Sequence, residues 1–145
     1  MRSILLPSKY RRFIRDLGPL MIGKTVLVER REGDWAFEFV PDFVITVGTF
    51  WRLIGKTYIC VASEDDGHQF GLPAPIDAEA EANRLLRGKA VKSVEADIRT
   101  GDLSILLDGH LTINIVTSSA GYESWQMWHR GEFFAFGANG GQGSN

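Results

Sequence analysis

The sequence predicts an α+β fold of two related halves, each a helix followed by an antiparallel meander of about four strands, packed as a sandwich or closed as a barrel. Three observations carry this expectation. Apolar residues alternate at period two through most of the chain. Short segments rich in Gly, Asp and Pro divide the alternating runs at hairpin spacing. The chain also echoes itself. Gly33-Asp34-Trp35 matches Gly101-Asp102-Leu103, and Phe43-Val44-Ile45-Thr46-Val47 matches Leu111-Thr112-Ile113-Asn114-Ile115, both 68 residues apart (33 to 101, 43 to 111). Gly23-Lys24-Thr25-Val26 answers Gly88-Lys89-Ala90-Val91 at 65 residues (23 to 88), so the second half carries three extra residues before its turn. Two copies at so long a period suggest an internal pseudo-dimer rather than a solenoid. The halves span about 8–62 and 77–136 of a single domain, 1–137. Residues 138–145, rich in Gly, offer nothing to bury and are expected to form a flexible tail.

The first helix is predicted from Ser8, a capping residue after Pro7, with Tyr10, Phe13, Ile14 and Leu17 at i, i+3, i+4 and i+7 and a stop at Gly18-Pro19. Its other face is basic: Lys9, Arg11, Arg12 and Arg15. From Thr25 the period becomes two. Val26 and Val28 share a face; so do Trp35, Phe37 and Phe39; so do Phe43, Ile45 and Val47. Further strands are expected near Phe50–Ile54 and Thr57–Ala62, with Cys60 buried. Ser63 to His68 reads as a solvated polar turn, because its acids lack the alternating oxygen ligands and distal Glu of a calcium loop. Asp77 should cap a second helix, with Glu79 and Glu81 favoured near its positive end and Ala78, Ala82, Leu85 and Leu86 on its apolar side. In the second meander Val94, Ala96 and Ile98 alternate, then Leu103, Ile105 and Leu107, then Leu111, Ile113 and Ile115. A strand over Tyr122–Trp128 and a last one over Glu132–Phe136 follow.

Parity fixes the hairpin registers. A two-residue Asp108-Gly109 turn would set Ile105 against Thr112 and Leu103 against Asn114, so each inward aliphatic would meet a polar residue. A three-residue Asp108-Gly109-His110 loop sets Leu107 against Leu111, Ile105 against Ile113 and Leu103 against Ile115. A Val40-Pro41-Asp42 loop does the same for Phe39 with Phe43, Phe37 with Ile45 and Trp35 with Val47, so three-residue loops or an equivalent bulge are expected in both hairpins. A one-residue slip would turn a whole apolar set to solvent. At roughly 1.5–3 kcal/mol per buried side chain, that outweighs the preference for any one turn type.

Charge and composition narrow the function. The 145 residues carry a net charge of −2, with 44% hydrophobic and 23% charged residues, which is ordinary globular material without a basic field for nucleic acid. The one cysteine forms no internal disulfide, which fits a reducing, cytoplasmic setting. No stretch is apolar and long enough to span a membrane. His68, His110 and His129 fall in predicted turns without ligand spacing, so no metal, cofactor or catalytic residue is assigned. Tyr122, Glu123, Trp125 and Trp128 form the candidate binding patch, with one Trp on each face of the predicted strand; the other reading of the same residues is that the rings lock the sheet and Glu123 accepts backbone or Trp hydrogen bonds.

The segments EDDGHQFGLPAPIDAEA (Glu64 to Ala80), GDLSILLDGHLTI (Gly101 to Ile113) and TSSAGYESWQM (Thr117 to Met127) resemble a family of small bacterial proteins of unknown function with a Gly-Tyr-Glu-Ser-Trp signature. Ala120 adds a residue before that signature relative to the family form. The family has no assigned catalytic residues to transfer, and some look-alike families are candidate toxin-immunity proteins. The resemblance implies a non-catalytic protein-binding role, with an immunity-type inhibitor as one form. The alternatives are a small hydrolase or nuclease using His110 or His129 with Glu123, and a homodimeric structural protein.

Overall fold

The computed structural model describes residues 17–97, 99–138 and 141–144. Residues 8–16 of the predicted first helix with their basic face, Ile98 of the predicted alternation, and positions 139, 140 and 145 of the predicted tail lie outside the described residues; of that tail, Ala138 ends one strand and Gly141–Ser144 forms another paired with it. The protein is α+β, with two antiparallel sheets and few helices. Chain order is β1 (Val26–Arg30), β2 (Trp35–Phe39), β3 (Phe43–Val47), β4 (Trp51–Ile54), β5 (Ile59–Ala62), α1 (Ala78–Leu86), β6 (Val91–Ala96), β7 (Leu103–Leu107), β8 (Leu111–Ile115), β9 (Trp125–His129), β10 (Glu132–Ala138) and β11 (Gly141–Ser144).

The first sheet runs β1-β2-β3-β9-β10-β11 and the second β5-β4-β8-β7-β6; neither closes on itself. The first sheet thus joins the meander β1–β3 to the meander β9–β11, and the second joins the meander β6–β8 to the hairpin β4–β5. The linking pairs are Val47 with Trp125 and Ile115 with Trp51. Gly48 N donates to Ser124 O at 2.9 Å and Val116 N to Phe50 O at 3.0 Å at the two crossings. An antiparallel bridge between Thr25 and Ala90 joins the starts of the β1–β3 and β6–β8 meanders.

Both central hairpins adopt the register that parity requires. Phe39 pairs with Phe43, Phe37 with Ile45 and Trp35 with Val47. Leu107 pairs with Leu111, Ile105 with Ile113 and Leu103 with Ile115. Gly109 (φ 76) and His110 (φ 62) turn the chain through the left-handed region that a three-residue loop needs. One apolar cluster takes in Phe37, Phe43, Ile45 and Met127 of the first sheet and Trp51, Leu53, Ile105 and Ile113 of the second. The Trp51 ring meets Trp35 and Phe37 edge to face, with centroids 5.0 and 5.3 Å apart.

Three local expectations are corrected. Gly18 and Pro19 do not stop the first helix: residues 17–21 are helical, and the stop is Gly23, whose φ of 86 suits the left-handed cap only glycine takes easily. The strand expected from Tyr122 starts at Trp125, because the Ser119 hydroxyl accepts from Gly121 N and Tyr122 N and the Ser124 hydroxyl from Ser118 N. Such local bonds compete with a ladder. Cys60 is only part-buried, since β5 is an edge strand.

Helix α1 begins where its cap was expected, with the Asp77 carboxylate accepting from Ala80 N at 3.0 Å. Ala78, Ala82 and Leu86 are buried. The helix also covers the free edge of β1. Asn83 accepts from Val28 N and donates to Val28 O, both at 2.8 Å, and Glu79 accepts from Arg30 N at 2.7 Å. Side chains of the helix thus satisfy backbone groups that an open edge would offer to another strand.

Candidate functional site

The acidic segment after β5 works as a tether between elements. Asp65 accepts from Ala62 N at 3.0 Å and closes a short 3-10 turn, Ser63–Asp65. Asp66 receives both arms of the Arg30 guanidinium at 2.7 and 2.8 Å and Ala78 N at 2.9 Å. Arg30 reaches on to Asp77 at 2.9 Å and lies over the Trp35 ring. One arginine on β1 therefore holds the end of β5 and the start of α1 together, in place of the solvated hairpin tip expected there.

The Arg30 hydrogen bond, joined by that from Ala78, depresses the Asp66 carboxyl below its ordinary value. A depressed carboxyl contributes stability above its unfolded value, about 3.9, and loses it as pH falls through the lower folded value. Asp66→Asn is expected to cost about 1.5 kcal/mol at neutral pH, the low end for charged hydrogen bonds because Arg30 is partly exposed. Urea melts should show the gap between wild type and variant narrowing below pH 4. A gap independent of pH would deny the carboxylate this role.

The tether shapes a cleft of about 620 Å³ between β5, the loop over 69–76 and α1. Cys60, Leu72, Pro73, Ile76, Ala80 and Arg84 are among its walls. The loop is folded by its own bonds: Leu72 N donates to Gln69 O, the Gln69 amide to Leu72 O, and Ile76 N to His68 O. Leu72, in the wall of the cleft, is 48% exposed. Large apolar side chains are also exposed in the two segments that supply its walls: Tyr58 and Ile59, which precede Cys60, at 68% and 50%, and Phe70, two residues before Leu72, at 67%. His68 stacks on Phe70, with centroids 5.5 Å apart. Arg84 is paired with Glu81 at the rim.

The four residues of the candidate patch do not come together on one surface. Trp125 is 1% exposed, its indole N–H donating to Gly101 O at 2.7 Å. Trp128 is on the opposite face of β9, half-buried beside Val44 and edge-on to Phe133 at 5.4 Å. Glu123 is exposed and accepts from the Gln126 amide, and Tyr122 is 81% exposed. The histidines are not paired with Glu123: His129 lies 3.5 Å from Asp42, and His110 is at the far end of the β7–β8 hairpin. Among the described residues no three of His, Cys, Asp and Glu converge as metal ligands, and no helix is long and apolar enough to cross a membrane.

The cleft was missed in the sequence, although a signal was present. QFGLPAP over 69–75 is apolar yet matches neither period, and its prolines exclude a central strand or helix interior. An apolar loop without periodicity must either be covered or stand as surface. Comparison with protein-family models, curated proteins and solved structures finds no match.

Proposed function

We propose that the chain is a non-catalytic binding protein of two related halves whose sheets face each other, and that a protein partner docks at the cleft beside β5. The equivalent registers of the β2–β3 and β7–β8 hairpins support the two-halves reading. The observation that carries the binding reading is the exposure of Leu72 in the wall of the cleft, together with that of Tyr58, Ile59 and Phe70 in the two segments that supply its walls. Clustered apolar exposure of this kind marks interaction surfaces. A small ligand would fill the cleft and leave the flanking rings wet, whereas a protein surface covers both and can anchor a side chain between them.

The test compares Leu72→Glu with Leu27→Glu. Leu27, 54% exposed on β1, is a control for general apolar stickiness. A partner captured by the wild type, then purified and titrated, should lose at least about tenfold in affinity with Leu72→Glu, as for truncation of an interface anchor. It should bind the Leu27→Glu protein unchanged. Equal loss in both variants, or in neither, overturns the proposed surface. Self-association that Leu72→Glu abolishes would make the partner a second copy of this chain.

A further inference from the structure

The end of the second sheet carries a cleft of about 350 Å³ whose walls include Lys56, Lys92, Gly109, His110 and Thr112. Lys89 adjoins it: a Cβ on Gly109 would lie 3.3 Å from the Lys89 Nζ. Among the described residues none of these three lysines has a carboxylate within ion-pair distance. Asp108, the neighbouring acid in the chain, is engaged by Ala90 N at 3.1 Å.

The corresponding place in the first sheet is neutralised. Val40 N donates to Thr25 O and Asp108 N to Ala90 O, the same bond in the two meanders, which sets Lys24 against Lys89 and Asp42 against His110. The crossings set Trp51 against Trp125, hence Lys56 against Arg130, 74 residues apart (51 to 125, 56 to 130). In the first sheet the Asp42 carboxylate joins both cations, accepting from the Lys24 ammonium and, at 3.3 Å, from Arg130 Nε. Those cations hold its carboxyl below the ordinary value. In the second sheet His110 occupies the chain position that corresponds to Asp42. Lys56 and Lys92 line the cleft there and Lys89 lies beside Gly109, with no acid at the position that supplies the counter-charge in the first sheet.

We propose that this cleft binds carboxylates presented by an acidic polypeptide segment, one of them in the place that Asp42 fills in the first sheet. A lone free carboxylate would make exposed ion pairs worth about 0–1 kcal/mol each, too little to hold it. Several carboxylates on one chain engage the lysines together, and the second contact is then intramolecular. The protein's net charge of −2 means that the attraction must be local to the cleft. The site is separate from the apolar cleft beside β5. It draws on the two-halves reading proposed above.

The test uses hexaglutamate, with free glutamate at equal carboxylate concentration as the second arm, followed by amide NMR shifts. Hexaglutamate should give saturable shifts at Gly109, His110 and Lys56 that high salt removes, and free glutamate should give none. His110→Asp should restore the missing carboxylate, raising the melting temperature and abolishing the shifts. Asp tolerates the positive φ of residue 110, so the substitution is compatible with the loop. His110→Asn, which tolerates it equally and adds no charge, should bind as the wild type does. If His110→Asp stabilises but hexaglutamate gives no saturable shift, the site is refuted and the alignment of the halves stands. If His110→Asp neither stabilises nor weakens binding, the alignment of the lysines with the first-sheet cations is refuted, and the site with it. Shifts of equal size with free glutamate would overturn the polypeptide as ligand.

Discussion

Truncating Trp125 to alanine is expected to lower the free energy of unfolding by about 3–5 kcal/mol, the cost of removing a large aromatic side chain from a packed core. The ring is 1% exposed and opposes Val47 where β9 joins β3, so it helps to seal the β1–β3 meander to the β9–β11 meander. Its N–H satisfies the carbonyl of buried Gly101. Loss of the ring would therefore add an unsatisfied buried acceptor to the cavity, each part unfavourable. Tyr122→Ala, three residues earlier, should change stability by less than about 0.5 kcal/mol, because its ring is 81% exposed. Urea denaturation of both variants measures the contrast. Similar effects would mean that the indole does not fill the core.

That contrast shows where sequence reasoning reached and where it stopped. Period-two alternation made the inward faces of β2, β3, β7 and β8 legible, because side chains on a strand alternate by geometry alone. The same alternation fixed both hairpin registers, since only one parity buries both strands' apolar sets. Asp77 was legible as a cap because capping is a local bond to a backbone N–H three residues on.

The rest depended on distant partners. Asp66 reads as a solvated acid until β1 brings Arg30 to it from 36 residues away. The β9 strand reads as starting at Tyr122 until the Ser119 and Ser124 hydroxyls are seen to occupy the preceding backbone. Tyr122, Glu123, Trp125 and Trp128 read in the sequence either as a contact patch or as rings that lock the sheet, with one tryptophan on each face. Which face was buried depended on the second sheet, whose Trp51, Leu53, Ile105 and Ile113 join Trp125 in one apolar cluster. The apolar cleft had no periodic signature, since its loop over 69–76 is shaped by turns and prolines.

Gly137→Ala is expected to destabilise the fold by about 1–3 kcal/mol or more, as overpacking a filled core does. Gly137 lies on β10 directly across from Trp125, and its carbonyl accepts from Ser124 N at 2.7 Å. A Cβ at this position would fall 2.2 Å from the Trp125 indole nitrogen and 2.3 Å from the adjacent ring carbon, far inside van der Waals contact. The indole cannot withdraw easily, because its N–H is bonded to Gly101 O on its other side and the ring is enclosed. The backbone cannot withdraw without breaking the ladder that carries β10. Trp125→Phe removes the atoms that the new methyl would strike, so the double variant should be more stable than the sum of the single losses predicts. Residues in contact typically show couplings of about 0.5–3 kcal/mol, and the coupling here should lie in the upper part of that range. Additive losses in a double-mutant cycle would place the Gly137→Ala penalty in the strand backbone, not in the ring across from it.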